Sequence, residues 1–314
     1  MHGWRLLISY ELLKKHDITD LFVFDDHNNS VSFLDNKKGL SSFENLFFSH
    51  LLGEFKESKI CRYTSLKSMF FGVNNTSFRM NGIVGMNDKT EISYVDDYLN
   101  DFNNDVSNLH HNTISAINNR YISSCSQSSL NDNLTMWRLY GDDSKGACMI
   151  YKIQRENIKN HVLLHKVSYA DRDRNHPQLE FLKLTINDIK NILGLKFVYQ
   201  KLRYWQHFFK PFDYSTEKEV RLLVIDSDEI PIEKRDWMLT DSHSIIAPYI
   251  DIKLNHPEFP LILSEIILGP KCPEIKVNKF QLEELLRRKK SELFTGNKSS
   301  QMTKVSISKI KNYR

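Results

Sequence analysis

The strand-forming runs of this chain of 314 residues are short and widely separated, and that spacing restricts the fold more than any other feature. Ile60-Cys61-Arg62-Tyr63-Thr64, Arg120 to Ser126, Gly146 to Ile153, His161 to Ala170, the run after Pro211, Ser244 to Leu254, Ile262 to Leu268 and Val305 to Ile310 read as strands from their β-formers or apolar character. The excursions between them read mainly as helix. Ser65 and Asn133 have the capping chemistry to begin two, the second running over Leu134 to Tyr140. Tyr94, Leu99, Phe102, Val106, Leu109 and Ile114 recur at near-helical spacing between Ile92 and Asn119, which predicts one or two helices. Leu179, Leu182, Ile186, Ile189, Ile192, Leu193, Phe197, Leu202, Trp205 and Phe209 predict a long helical region over Pro177 to Phe209, and Lys279 to Lys290 predicts another. Strands separated in this way predict a mixed α+β fold, and no internal repeat appears.

The length suits one large domain or one domain with an appended segment. Leu21-Phe24 and Val31-Leu34 flank the polar turn Asp25 to Ser30 as a hairpin would, so residues 1–55 are expected to form an N-terminal lobe or cover and residues 56–314 the main domain. No run approaches the roughly 18 apolar residues that span a bilayer, and the first residues lack a basic region followed by an apolar core. A cytoplasmic protein without a membrane partner is expected. Cys61, Cys125, Cys148 and Cys272 are far apart and form no C-x-x-C pair, which predicts reduced, buried thiols. The adjacent His110 and His111 have no metal-ligand spacing around them, so no metal site is predicted.

Three stretches carry groups suited to chemistry. In Ser215-Thr216-Glu217-Lys218-Glu219-Val220-Arg221, strand alternation would put Glu217 and Glu219 on one face and Lys218 on the other. Two such carboxylates resist burial unless a cation or polar group meets them, so the pair is either a solvated rim or a catalytic site. Earlier in the chain come Arg62 and the hydroxyl cluster Ser123-Ser124-Cys125-Ser126. Should their strands be neighbours, an Arg, hydroxyls and two acids converge on one cleft. Arg forks onto phosphate, hydroxyls fix a sugar, and a carboxylate stabilises an oxocarbenium-like centre as a leaving group departs. A dinucleotide such as NAD, losing neutral nicotinamide, fits that set. The Gly-rich phosphate loops of redox NAD enzymes and of P-loop kinases are absent. Arg62 has a structural alternative as partner of Asp88 or Glu91. Trp137 and Tyr140, three apart on one helical face, read as core, with Tyr140 the better placed to line a cleft.

These stretches carry a resemblance as well. Arg62-Tyr63-Thr64-Ser65, Asn87-Asp88 with Glu91, Ser124-Cys125-Ser126, Met136-Trp137-x-x-Tyr140-Gly141 with Lys145-Gly146, Glu217-Lys218-Glu219-Val220-Arg221 and Ile266-Ile267-Leu268-Gly269-Pro270 together resemble the bacterial family catalogued as domain of unknown function 2971, through most of residues 60–310. That family is thought to be related to ADP-ribosyltransferases, and the Arg, Ser-x-Ser and Glu-x-Glu sites resemble the pattern of one branch of them. The resemblance implies an ADP-ribosyltransferase-like split mixed β-sheet core flanked by helices, with NAD as co-substrate. By the same resemblance Arg62, with Tyr63 and Thr64 beside it, would hold the NAD phosphate or nicotinamide ribose. Ser124 or Ser126 would steady the site, and Tyr140 would line it. Glu219 would bond the ribose 2′-hydroxyl, and Glu217 would help activate the acceptor. The middle motif reads Ser-Cys-Ser, where toxin-like members more often have Ser-Thr-Ser.

Some members of this kind resemble toxins of antiphage toxin–antitoxin systems, one type of which modifies messenger RNA and is restrained by an antitoxin and a chaperone. From Leu282 to the end, nine Lys or Arg stand against three Glu, and such a basic segment suits an RNA acceptor or a solvated tail. The expectation is an NAD-dependent mono-ADP-ribosyltransferase of toxin or antiphage-defence type, with RNA favoured over protein as acceptor. The alternatives are a non-enzymatic nucleotide- or RNA-binding module and an NAD glycohydrolase.

Overall fold

A computed structural model describes residues 22–33, 43–85, 90–99, 119–158, 161–240, 244–293 and 302–311. In chain order the strands are β1 (Phe22–Asp25), β2 (Ser30–Phe33), β3 (Lys59–Thr64), β4 (Ser77–Gly82), β5 (Arg120–Gln127), β6 (Ala147–Ile153), β7 (Val162–Lys166) and β8 (Ser168–Tyr169). They continue as β9 (Lys196–Val198), β10 (Phe209–Lys210), β11 (Glu219–Ile225), β12 (Ile232–Leu239), β13 (Ile246–Lys253), β14 (Leu261–Leu268) and β15 (Lys304–Ile307). The α-helices are α1 (Phe43–Leu51), α2 (Leu66–Asn74), α3 (Thr90–Leu99), α4 (Leu134–Tyr140), α5 (Pro177–Leu193), α6 (Leu202–Trp205), α7 (Ile275–Arg288) and α8 (Lys290–Leu293). The chain divides into two compact units, one of residues 1–55, 88–111 and 165–216, the other of residues 56–87, 112–164 and 217–314.

In the first unit β1 and β2 pair antiparallel as the hairpin that the sequence predicts, and β9 joins β2 in parallel. Asp25 closes the turn by accepting the backbone N–H groups of His27 and Asn28 at 3.0 and 3.2 Å, with Asn29 left-handed at φ 46°. Aromatic side chains fill the interior: Phe47 stacks on Tyr199 at 5.8 Å and Phe48 on Trp205 at 5.9 Å. The long helix expected over Pro177 to Phe209 ends sixteen residues early. Pro177 opens α5 at a position that needs no N–H donor, and Gly194 closes it in the left-handed region at φ 68°, its N–H donating to the Lys190 carbonyl at 2.9 Å. Phe197 still points inward, but from strand β9.

The second unit is built on a ten-stranded mixed sheet running β12-β13-β4-β5-β3-β6-β14-β15, with β11 also on β5 and β7 on β11. β14 and β15 are parallel, whereas the pairs of β5 with β11, β3 and β4 are antiparallel. The sheet forks at β5. β11 covers one edge of β5 from Arg120 to Ser126; on the other edge β3 pairs with its C-terminal end and β4 with its N-terminal end. Cys61, Tyr63, Met136, Trp137, Cys148, Ile150 and Ile267 form one packed cluster that seats α4 on the sheet. Asn133 caps α4, its side chain accepting from Thr135 and Met136 at 3.0 and 3.2 Å, and Ser65 caps α2 by accepting from Ser68 at 3.1 Å. The architecture is mixed α+β, with one large sheet and several helices. Among the described residues no helix is long and apolar enough to cross a membrane.

Candidate active site

The three singled-out stretches lie on three adjacent strands. Glu219 opens β11 directly opposite Ser126 of β5, and Ser126 is in turn opposite Cys61 of β3. Cross-strand partners share a face, so Cys61, Ser126 and Glu219 form one row. Two residues along, Arg221 faces Ser124. Ser124 is exposed, whereas Ser126, Glu219 and Arg221 are buried. Arg221 lies on the same face as Glu219 and forks onto it, Nε to Oε1 at 2.6 Å and Nη2 to Oε2 at 3.2 Å. A buried carboxylate needs a partner of this kind, and the strand period of two supplies one from the same motif.

Glu217 departs from the expected pattern. It ends a 3-10 turn spanning Phe212–Glu217, and Lys218 follows in the left-handed region at φ 42°, so alternation from β11 does not extend back to Glu217. The Lys218 carbonyl accepts the N–H of Gln127 at 3.0 Å and anchors this bend to the end of β5. Glu217 is nonetheless buried, and its Oε1 accepts the hydroxyl of Tyr140, the last residue of α4. Tyr140 is itself largely exposed, whereas Trp137 is fully buried with its indole N–H on Asp132 at 2.8 Å. The shared helical face predicts both as core, but only Trp137 is; Tyr140 is exposed and lies at the carboxylate.

Arg62 follows Cys61, so its side chain leaves from the opposite face, where its strand neighbour is Met149 of β6. The guanidinium turns toward the fork: Nη1 donates to the Arg79 carbonyl of β4 at 3.0 Å, and the group lies 5.2 Å from the Phe78 ring centre. Arg62 makes no ion pair among the described residues. Asp88 lies outside the described residues, and so does the side chain of Glu91. Tyr63 has its hydroxyl in use on both sides, donating to the Leu130 carbonyl and accepting the Asn133 N–H at 3.0 Å. Its ring meets Trp137 edge-on at 4.8 Å. Thr64 ends β3 opposite Ala147. The structure thus joins Ser124, Ser126 and Glu219 on one face, joins Tyr140 to Glu217, and holds Arg62 at the fork between β3 and β4.

The thiols are not part of this chemistry. All four cysteines are free and buried, and burial pushes the Cys125 thiol up to about 12, leaving it protonated at neutral pH. Burial also raises the Tyr63 hydroxyl. Two residues that partner these groups have no role in the sequence reading. Arg221 lies within the Glu-Val-Arg segment, and its spacing from Glu219 was the readable signal. Asp132 accepts from Trp137, from the Ser308 hydroxyl at 2.7 Å and from the Lys309 N–H at 2.7 Å, so it ties the strand after α8 to α4. No sequence pattern marks that long-range contact.

No curated protein and no solved structure matches the chain. Residues 136–222 match a family described as a protein of unknown function (DUF2971), and that stretch contains Tyr140, Glu217, Glu219 and Arg221 but neither Arg62 nor Ser124 and Ser126. The match supports that family for the segment linking α4 to the first residues of β11.

Proposed function

We propose that the protein is an NAD-dependent mono-ADP-ribosyltransferase with an ADP-ribosyltransferase-like fold, a toxin or antiphage-defence effector of the cytoplasm that modifies RNA in preference to protein. An antitoxin and a chaperone are its proposed partners. The observation that supports this reading is that three sequence-distant stretches lie on adjacent strands, with Ser126 the direct cross-strand partner of Glu219, while Arg62 leaves from the other face of the sheet. Arg62 adds a cation at the fork with no carboxylate on it among the described residues, which leaves N–H donors for a diphosphate.

In the proposed reaction the bond between ribose C1′ and the nicotinamide nitrogen breaks, and nicotinamide leaves with the electron pair as a neutral molecule. Glu219 holds the ribose 2′-hydroxyl and stabilises the positive charge at C1′. The acceptor then bonds to C1′ and gives its proton to Glu217, whose contact with Tyr140 fixes the carboxylate. A second reading rests on the buried fork of Arg221 on Glu219, which serves equally well as a structural ion pair in a binding module without catalysis.

The test is incubation of labelled NAD with the protein and total cell extract, followed by separate nuclease and protease digestion. Transfer predicts label removed by nuclease, and Glu219→Gln is expected to lower transfer about a hundredfold or more. Free ADP-ribose with no labelled macromolecule would assign glycohydrolysis. NAD left intact by folded protein would leave the binding-module reading.

A further inference from the structure

The second unit contains a cavity of about 780 Å³ between α2 and α7, and none of the residues assigned to the NAD reading lines it. Cavities that hold small ligands run from about 300 to about 1,000 Å³. Met69 on α2 and Leu282 and Leu285 on α7 give it apolar walls. Such walls alone do not name a ligand; beside them stand the cations Lys67, Lys145 and Arg288 and the carboxylates of Asp142 and Glu284.

Lys67 and Lys145 both line the cavity, and neither side-chain ammonium has an ion-pair or hydrogen-bond partner among the described residues. Neighbouring cations are already matched: Arg288 holds Glu284 at 2.8 Å and Lys271 faces Asp143 at 3.6 Å. The two free lysines leave from abutting backbones. Next to Lys145, a Cβ on Gly146 would lie 2.1 Å from the Thr64 carbonyl and 3.1 Å from the Ser65 Cα, at the start of α2. On the opposite wall the Gln281 amide also has no partner among the described residues.

The loop carrying Lys145 is strained. Asp142, Asp143 and Ser144 are consecutive non-glycine residues with φ of 53°, 46° and 71°. Each such residue costs roughly 1–2 kcal/mol relative to ordinary backbone. Surrounding bonds hold the loop in place: Ser144 N–H to the Trp137 carbonyl at 3.0 Å, Gly146 N–H to Gly141 at 2.8 Å, and Lys271 N–H to Ser144 at 2.9 Å. Strain held this firmly beside a cavity is a feature of binding sites, where it fixes a side chain before the ligand arrives.

We propose that the cavity between α2 and α7 binds a nucleoside phosphate, with the base between Met69 and the leucines of α7, its edge at Gln281, and the phosphate on Lys67 and Lys145. A fatty acid would supply one negative charge and no group for the amide; a nucleoside phosphate supplies a dianion and a polar-edged ring. The site is separate from Glu219 and stands whether or not the chain transfers ADP-ribose.

The experiment is calorimetric titration of the full chain with AMP, with inorganic phosphate and adenosine as controls. Saturable binding of AMP is expected in wild type and weakened at least tenfold in the double variant Lys67→Ala/Lys145→Ala. Gln281→Ala and Leu285→Ala should each weaken AMP without changing the far-ultraviolet circular dichroism. The proposal is overturned by absence of saturable AMP binding, by inorganic phosphate binding as tightly as AMP, or by AMP binding lost in Arg62→Ala but kept in the double lysine variant. That last pattern would place the nucleotide at the fork instead.

Discussion

Glu219 is partnered by the residue two places along its own strand, and this arrangement sets what substitution there can reveal. Both side chains are nearly fully buried, at 3% for Glu219 and 1% for Arg221. Removing one member of a buried ion pair costs about 3–5 kcal/mol, because the charge left behind has lost its partner. Glu219→Gln keeps the shape but removes the carboxylate charge that the guanidinium forks onto, so it is expected to lower stability by about 3 kcal/mol, and Arg221→Met by a similar amount. The double variant should lose less than the two single losses added together, which urea midpoints would measure. Strict additivity would show that the two side chains are not energetically coupled. Transfer assays on Glu219→Gln therefore belong at a temperature where circular dichroism reports a folded chain. The alternation that predicts Glu219 on a strand face also predicts Arg221 beside it. The same rule fails at Glu217, because one left-handed residue, Lys218, interrupts the period before the strand begins.

Elements were legible where local chemistry decides them. The caps at Ser65 and Asn133, the hairpin around Asp25 and the apolar runs of β6 and β14 are all local signals, and all are observed. β12 was not anticipated, because Glu233-Lys234-Arg235-Asp236 shows neither apolar alternation nor an apolar face. It lies almost wholly exposed and is held by its pairing with β13. β4 carries no strand signal for a related reason, since Asn81 and Gly82 at its end look like turn residues. The helix overrun past Leu193 has the opposite cause: buried Phe197 and Trp205 keep an apollar-looking spacing going after Gly194 has already ended α5. Two glycines give a test at this scale. A Cβ on Gly146 would sit 2.1 Å from the Thr64 carbonyl and 2.9 Å from that of Gly141, backbone atoms that move only if β3 or the α4 loop moves. Gly194 has open space around it but a φ of 68°. Gly194→Ala is expected to cost about 1 kcal/mol, from backbone conformation alone. Gly146→Ala should cost more, about 3 kcal/mol, from overpacking. Thermal melts of the two variants would rank them, and the reverse order would mean that the loop between α4 and β6 relaxes freely.

At the scale of the whole chain, acid should act first on the unit that buries a histidine. His176 is fully buried in the first unit, its Nε2–H donating to the Ser168 carbonyl at 3.2 Å and its ring meeting Phe209 at 5.3 Å and Tyr94 at 6.2 Å. Burial lowers it from the ordinary 6.5 to about 4, against the raising effects of the Ser168 bond and of the nearby Asp171. Above about 6.5 the ring is neutral whether the chain is folded or not, and stability from this group is complete. As pH falls from there toward about 4, the unfolded chain takes up a proton that the folded chain refuses, so stability declines; below about 4 both states carry it and the decline stops. The full loss across that window is on the order of 3 kcal/mol. His176→Phe removes the titrating ring while filling the aromatic pocket, so its urea midpoint should fall less between about pH 7 and about pH 4.5 than that of wild type. Amide hydrogen exchange would locate the effect. Protection over Pro177–Leu193 should drop with acid more than protection over β5 and β11, and a uniform drop across both units would assign the acid sensitivity to groups other than His176.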